Sequence, residues 1–269
     1  SESSGQWGAA TGKPADFCHF VHGGKACGLP HELGSTGFGV AQATKVAAEF
    51  AGLDLKKARV AIAGFGNVGG FAAKHLGRMG ARIVAVSEAE GTVFSENGLD
   101  MARLTHLKET GQSFLKYGSG AKILARDEIY ELPVEILIPA AISDVINQKN
   151  YQKVKAKVII EGANIPIPEE IEDKLWRRGK IIVPDFVANG GGVISSFAEY
   201  SGHAPAFMFQ LVQKKVEKAT REVLLASQKK KCNPRAVALV LAKDKVQKAF
   251  KEQFGGDPSV KHSVEVIDL

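Results

Sequence analysis

Gly64-Phe65-Gly66-Asn67-Val68-Gly69 spells G-x-G-x-x-G. That spacing suits a chain that turns tightly at Gly64, brings backbone N–H groups up to a phosphate at Gly66, and packs a helix on a strand at Gly69. A helix opening at Asn67 would add its free N–H groups and positive dipole end, both favourable to an anion. Glu88 lies 88 − 64 = 24 residues further on. A carboxylate at about that interval accepts hydrogen bonds from an adenosine ribose. A 2′-phosphate would meet like charge there, so NAD is preferred to NADP, with Arg78 and Arg82 as the basic side chains that could turn toward such a phosphate. The plainer reading is a strand–helix unit whose glycines serve packing alone and whose Glu88 is merely solvated.

Small and polar residues recur at three later points: Pro139-Ala140-Ala141, Glu161-Gly162-Ala163-Asn164, and the run from Asp185 through Asn189 to Gly192. Each follows a short apolar stretch. Small side chains let a flat ring approach, and Asn164 and Asn189 offer amide donors and acceptors. Such residues also make ordinary turns. Three sets at successive strand ends point to one site, because ligands of open α/β sheets bind beyond the carboxyl ends of the strands.

The elements that must carry these residues are legible from periodicity. Val40, Ala43, Val46, Ala47 and Phe50 fall at helical spacing, with Gly52 suited to the C′ position. Val60–Ala63 and Ile83–Val86 read as strands buried on both faces, with a helix from Asn67 to Met79 ending at Gly80. Further strands are expected at Val134–Ile138, Val158–Ile160 and Ile181–Val183, and helices near Leu99–Thr110 and Glu169–Arg178. Alternation of strand and helix implies an α/β fold of Rossmann type, a doubly wound parallel sheet. From residue 192 the pattern is helical only: Val193–Tyr200, Ala206–Lys231 and Pro234–Phe254. The expected division is an irregular arm over 1–34, a dinucleotide-binding domain over 35–191 and a helical tail over 192–269.

Composition excludes several classes. Hydrophobic residues at 45% and charged residues at 24% describe an ordinary globular chain. Glycine is in excess, 29 of 269 or about 11%, against a usual level of roughly 7%. The net charge is 35 − 29 = +6. Its densest patch, Lys214, Lys215, Lys218, Arg221 and Lys229–Lys231, is interleaved with Glu217 and Glu222 as on a solvated helix face. No aromatic-basic motif accompanies it, so no nucleic-acid partner is expected. No apolar run approaches the roughly 18 residues of a membrane span, and no secretory pattern opens the chain. Three cysteines fit a reducing compartment, and a cytoplasmic location is expected. Cys18, His19, His22, Cys27 and His31 crowd together, but the spacing matches no common zinc ligand set, and no metal site is assigned. The first residue is Ser1, which suggests a processed product or fragment.

Ser35-Thr36-Gly37-Phe38-Gly39, Gly64–Gly69, Pro139-Ala140-Ala141, Gly162-Ala163-Asn164 and Pro184-Asp185-Phe186-Val187-Ala188-Asn189-Gly190-Gly191-Gly192 together resemble the cofactor-binding half of the glutamate/leucine/phenylalanine/valine dehydrogenases, glutamate dehydrogenases above all. The resemblance runs from about Thr11 to Phe250. It implies cofactor contacts from Thr36, Gly64, Phe65, Gly66, Asn67, Val68 and Gly69. It also implies a ribose contact at Glu88, and Ala140, Ala141, Asn164 and Asn189 along the nicotinamide side. Val193 and Ser196 match positions facing the substrate side chain, and a hydroxyl at Ser196 can donate to a γ-carboxylate, which suits glutamate.

The implied reaction is L-glutamate, NAD and water giving 2-oxoglutarate, ammonia and NADH. The family's catalytic lysine and aspartate belong to an N-terminal substrate domain. Gly23-Gly24-Lys25 mimics the lysine motif but directly precedes Thr36, where the family has its interdomain segment, so Lys25 is not assigned a catalytic role. No catalytic residue is therefore expected in this chain, which would need that domain or a partner chain to turn over. Homo-oligomerisation is also possible. The alternative is a free-standing, catalytically silent dinucleotide-binding or sensing module.

Overall fold

The computed structural model describes residues 20–22, 25–27, 33–118, 120–201 and 203–254. Two short strands, β1 (Phe20–His22) and β2 (Lys25–Cys27), pair antiparallel, so the arm expected to be irregular holds a hairpin. The Cys18, His19 and His31 positions of the cysteine–histidine cluster lie outside the described residues.

One seven-stranded sheet organises the remainder, in the order β6-β5-β4-β3-β7-β8-β9. Its strands are β3 (Arg59–Ala63), β4 (Arg82–Glu88), β5 (Gly91–Phe94), β6 (Lys122–Leu124), β7 (Ile136–Pro139), β8 (Val158–Ile160) and β9 (Ile181–Val183). β3 pairs in parallel with both β4 and β7, and the parallel ladder continues through β8 to β9. β4–β5 and β5–β6 are antiparallel. The sheet is therefore mixed. The expected parallel core is present, extended by two strands that the sequence reading lacked. β5 is a four-residue strand, Gly91–Phe94, that follows a two-residue reversal at Ala89-Glu90, and it is too short for a clear period-two signal.

Residues along β3 alternate between two cores. Val60 and Ile62 face one core with α1 (Ser35–Phe50), α2 (Asn67–Arg78) and α7 (Pro205–Lys230); Ala61 and Ala63 face the other with α4 (Glu169–Arg177). Covering both faces is what makes these strands continuous apolar runs rather than alternating ones. α2 ends as expected: Gly80 adopts φ +90°, and Ala81 N–H reaches back to Leu76 O at 3.0 Å in a Schellman arrangement. The other helices are α3 (Met101–Glu109), α5 (Asp185–Ala188), α6 (Gly191–Tyr200) and α8 (Pro234–Phe254). Among the described residues no helix is long and apolar enough to cross a membrane.

The chain leaves β3 toward β4 on one side and returns to β7 on the other. The loops after β3 and β7 consequently diverge and open a crevice at the carboxyl edge of the sheet.

Candidate functional site

The three fingerprint glycines have separate jobs. Gly64 turns the chain at φ +95°, and a Cβ there would lie 2.8 Å from the Ala141 backbone. Gly69 sits in the first turn of α2, where a Cβ would fall 1.8 Å from Gly64 O, so only glycine lets the helix press on its own loop. Gly66 differs: a Cβ there meets nothing within 4 Å. It is also the N-cap of α2 and supplies no side-chain acceptor to the first-turn N–H groups. An open space before a helix N-terminus that no N-cap side chain fills suits an anion.

Glu88 ends β4 and turns back onto this loop, accepting the Phe65 N–H at 2.5 Å. It is thus a working part of the loop and not simply solvated. The Phe65 ring is buried, edge-on to Phe114 with centroids 5.5 Å apart, and Lys108 Nζ holds Phe65 O at 2.6 Å. Only the backbone of Phe65 is offered to the crevice, which narrows the expected contact at this residue. Gly64, Gly66, Glu88, Ala140 and Ala141 line one cavity of about 320 Å³ with Arg126 and Tyr130.

Arg78 and Arg82 are at the wrong edge for a phosphate at Glu88. α2 starts at the carboxyl edge and ends with Arg78 at the opposite one, and Arg82 opens β4 there, its N–H bonded to Ala58 O. The basic group beside Glu88 is Arg126, from the 3-10 turn Arg126–Glu131, with Nε 2.7 Å from Asp127 Oδ1. Its hydrogen bond holds the Asp127 carboxyl below the usual range. Burial, with the Asp127 charge adding to it, pushes the Tyr130 phenol up to about 12, so Tyr130 presents a neutral hydroxyl.

Thr36, Asn164, Asn189, Val193 and Ser196 do not line that cavity; they form a second group along the same edge. Asn189 Nδ2 donates to Asn164 Oδ1 at 2.8 Å, and Ser143 Oγ donates to Asn164 O at 2.7 Å. Gly162 N–H and Ala163 N–H both reach Pro139 O, at 2.9 and 3.0 Å, tying this loop to Ala140. A Cβ on Gly192 would meet Thr36 Oγ1 at 2.8 Å. Gly191 is glycine because α1 lies against it: a Cβ would fall 2.2 Å from Ser35 O. Part of the glycine excess at 190–192 thus serves helix packing. Val193 is 77% exposed, and with Ser196, Phe197 and Tyr200 it forms an exposed stripe on α6. Ser196 Oγ meanwhile donates to Gly192 O at 3.3 Å.

A charged cluster missed in the sequence lies just beneath. Arg235, near the start of α8, places Nη2 2.6 Å from Glu161 Oε2, Nε 2.5 Å from Glu172 Oε2 and Nη1 3.0 Å from Asp185 Oδ1. Glu161 and Asp185 directly follow apolar strands or their last residue, and a charge at such a position is the available signal. A separate apolar groove of about 340 Å³ runs between α5, α6, α7 and α8, rimmed by Lys215, Glu222 and Lys245. Gly190 and Val193 line it at the end nearer the asparagines, and its remaining walls are helix side chains.

With this geometry in view, a family model described as Glutamate/Leucine/Phenylalanine/Valine dehydrogenase matches residues 27–254. The chain belongs to that family. The glutamate dehydrogenase of Thermotoga maritima is 36% identical over 244 residues, covering 86% of this chain and 58% of the relative. The NADP-specific glutamate dehydrogenase of Saccharolobus shibatae is 38% identical, covering 83% of this chain and 56% of its own length. The NAD-specific enzyme of Clostridioides difficile is 37% identical, with 72% and 45% covered. A solved hetero-hexameric glutamate dehydrogenase of Thermus thermophilus, leucine bound, superposes with a TM-score of 0.72 at 28% identity, covering 82% of this chain and 53% of that one. This member of the dehydrogenase family thus spans about half the length of the relatives it matches.

Proposed function

We propose that this chain is the nicotinamide-dinucleotide-binding part of a glutamate dehydrogenase-like oxidoreductase. The observation that carries the reading is the glycine loop, with its open space at Gly66 before the start of α2, where no N-cap side chain intrudes, and its Phe65 N–H gripped by Glu88. These residues fit a dinucleotide. Gly66, Asn67 and Val68 would hold the pyrophosphate, and Glu88 would share its carboxylate between Phe65 and the adenosine ribose. Ala140 and Ala141 would lie along the nicotinamide side, with Asn164 and Asn189 orienting it.

When bound, the nicotinamide takes a hydride from, or returns one to, the α-carbon of an amino acid. Thr36 would sit at the rim of that site. Val193 and Ser196 would face the substrate side chain, the Ser196 hydroxyl turning from Gly192 O to a γ-carboxylate. The lysine that polarises the 2-oxo carbon and the aspartate that moves protons would come from the substrate domain. Residues 35–191 would then act as the nucleotide domain and the helices between 192 and 254 as its support.

A nicotinamide nucleotide is the cofactor class named for two relatives, one NAD-specific and one NADP-specific. Glu88 favours NAD, whereas Arg126 offers a positive charge in the same cavity. Two measurements test the reading. Calorimetric titration of the chain with NAD and with NADP should give saturable binding, tighter for NAD; no binding of either would sink the proposal. The complete polypeptide, supplied with L-glutamate and NAD, should then generate reduced nicotinamide, and binding without turnover would favour a silent binding module.

A further inference from the structure

Beneath the two asparagines, one guanidinium faces three carboxylates in a nearly dry site. Glu161 and Glu172 are fully buried, and the Arg235 side chain is 11% exposed. The connections out of this cluster are directional. Glu161 Oε2, besides meeting Arg235, accepts the Asp185 N–H at 2.9 Å. Asp185 Oδ2 accepts the Ile165 N–H at 2.8 Å. Ile165 directly follows Asn164 and adopts φ +46°, a left-handed conformation that is unfavourable for a β-branched residue. Asp185 also opens α5, whose C-cap is Asn189. Both asparagines are therefore suspended from carboxylates that Arg235 grips, and the strained Ile165 backbone needs such a grip to persist. Arg235 is in turn held by its own helix start, where Asn233 Oδ1 accepts the Arg235 N–H at 2.8 Å.

We propose that Arg235 is a positioning residue: from α8 it clamps Glu161 and Asp185 and thereby sets the Asn164–Asn189 pair on the nicotinamide side of the site. It touches no cofactor. It acts by fixing two loop segments, after β8 and after β9, in one arrangement. The cluster carries more negative than positive charge, and its protonation agrees with that excess. Burial first, and then the Glu172 charge, push the Glu161 carboxyl well above the ordinary range against the pull of Arg235. The nicotinamide role of the asparagines rests on the proposed function; the clamp itself does not.

Two variants test it. Arg235→Lys keeps the charge but cannot reach three carboxylates, whereas Asp185→Ala removes the acceptor that holds Ile165 together with one charge of the buried excess. The readout without ligand is the side-chain amide NMR signal of Asn189, whose hydrogen bond to Asn164 should shift it and slow its exchange in the wild type. Both variants should lose that signature, more fully in Arg235→Lys. The readout with ligand is calorimetry with NAD and with ADP. Arg235→Lys should weaken NAD about tenfold, the worth of roughly one hydrogen bond, and leave ADP within about twofold. Unchanged Asn189 signals in either folded variant would overturn the clamp. Equal weakening of NAD and ADP would overturn it too, because general loosening would then explain the loss. If the wild type bound neither nucleotide yet the Asn189 signature vanished in the variants, the proposed function would fail while the clamp stood.

Discussion

Gly66→Ala separates the function of the glycine loop from its folding. The backbone at Gly66 is extended, φ −66° and ψ −153°, so alanine needs no left-handed conformation. Its methyl group would enter open space, with no atom within 4 Å. Replacing glycine by alanine at a compatible site also lowers the entropy of the unfolded chain, so stability should stay within about 1 kcal/mol of the parent. Binding should behave differently. If the pyrophosphate occupies that space, the methyl group displaces it from the α2 N–H groups. Losing one hydrogen bond to a charged phosphate costs about 1.5–3 kcal/mol, roughly ten- to hundredfold in affinity. Gly69→Ala is the contrasting case, since its Cβ would fall 1.8 Å from Gly64 O. Backbone must move there, and destabilisation of about 1–3 kcal/mol from overpacking is expected. The assay is thermal or urea unfolding paired with NAD titration by calorimetry. A stable Gly66→Ala protein that binds NAD as tightly as the parent would show that no phosphate lies against Gly66.

Three further outcomes follow from the same geometry. Glu88→Ala leaves the Phe65 N–H without its acceptor, so it should lose about 1–3 kcal/mol of stability and about tenfold in NAD affinity, whereas Glu88→Gln keeps an acceptor and should preserve most of the stability; equal unfolding midpoints for the two variants would refute that reading. Arg126→Ala should weaken NADP more than NAD, by about three- to tenfold, because only NADP carries a 2′-phosphate for Arg126 to meet beside Glu88; matched losses in calorimetry would remove Arg126 from the specificity of the site. Burial against Phe38, centroid distance 4.9 Å, with help from Arg78 and Lys74, lowers the His75 pKa from 6.5 to about 4. The unfolded chain therefore binds a proton between those values while the folded chain does not, so the contribution of His75 to stability is full above pH 6.5 and falls as the pH drops toward 4. Half-burial discounts the effect to about 1–2 kcal/mol. Urea unfolding at pH 7 and pH 5 should show this loss in the parent and its absence in His75→Gln, and identical pH slopes would contradict it.

Much of the molecule was legible in the sequence because its local signals are strong. β8 and β9 coincide with their apolar runs, α8 begins at Pro234 as expected, and α1 and α2 end against Gly52 and Gly80 at positive φ. These are short-range effects: apolar periodicity, proline at a helix start, glycine past its end. The same locality put Gly64, Gly66, Glu88 and Ala140–Ala141 at strand ends, and the parallel order of β4, β3 and β7 then gathers them around one cavity.

What periodicity could not supply was long-range pairing. β5 and β6 exist because they add to the β4 edge, and nothing in Lys122-Ile123-Leu124 itself demands a strand. Arg126 and Tyr130 reach the cavity only because β6 pairs with β5, which carries the following turn beneath Glu88. Arg235 meets Glu161, 74 residues away, because α8 folds back over the carboxyl edge of β8 and β9. Charge placed that far apart in sequence has no local signature. Local patterns of residue type therefore carry the family motifs, the glycine loop and the parallel core. Which side chains share the cavity beside the glycine loop, and which arginine pairs with Glu161 and Asp185, was decided only when tertiary packing brought distant segments together, the arginine in a low-dielectric site where an unpaired charge could not have remained.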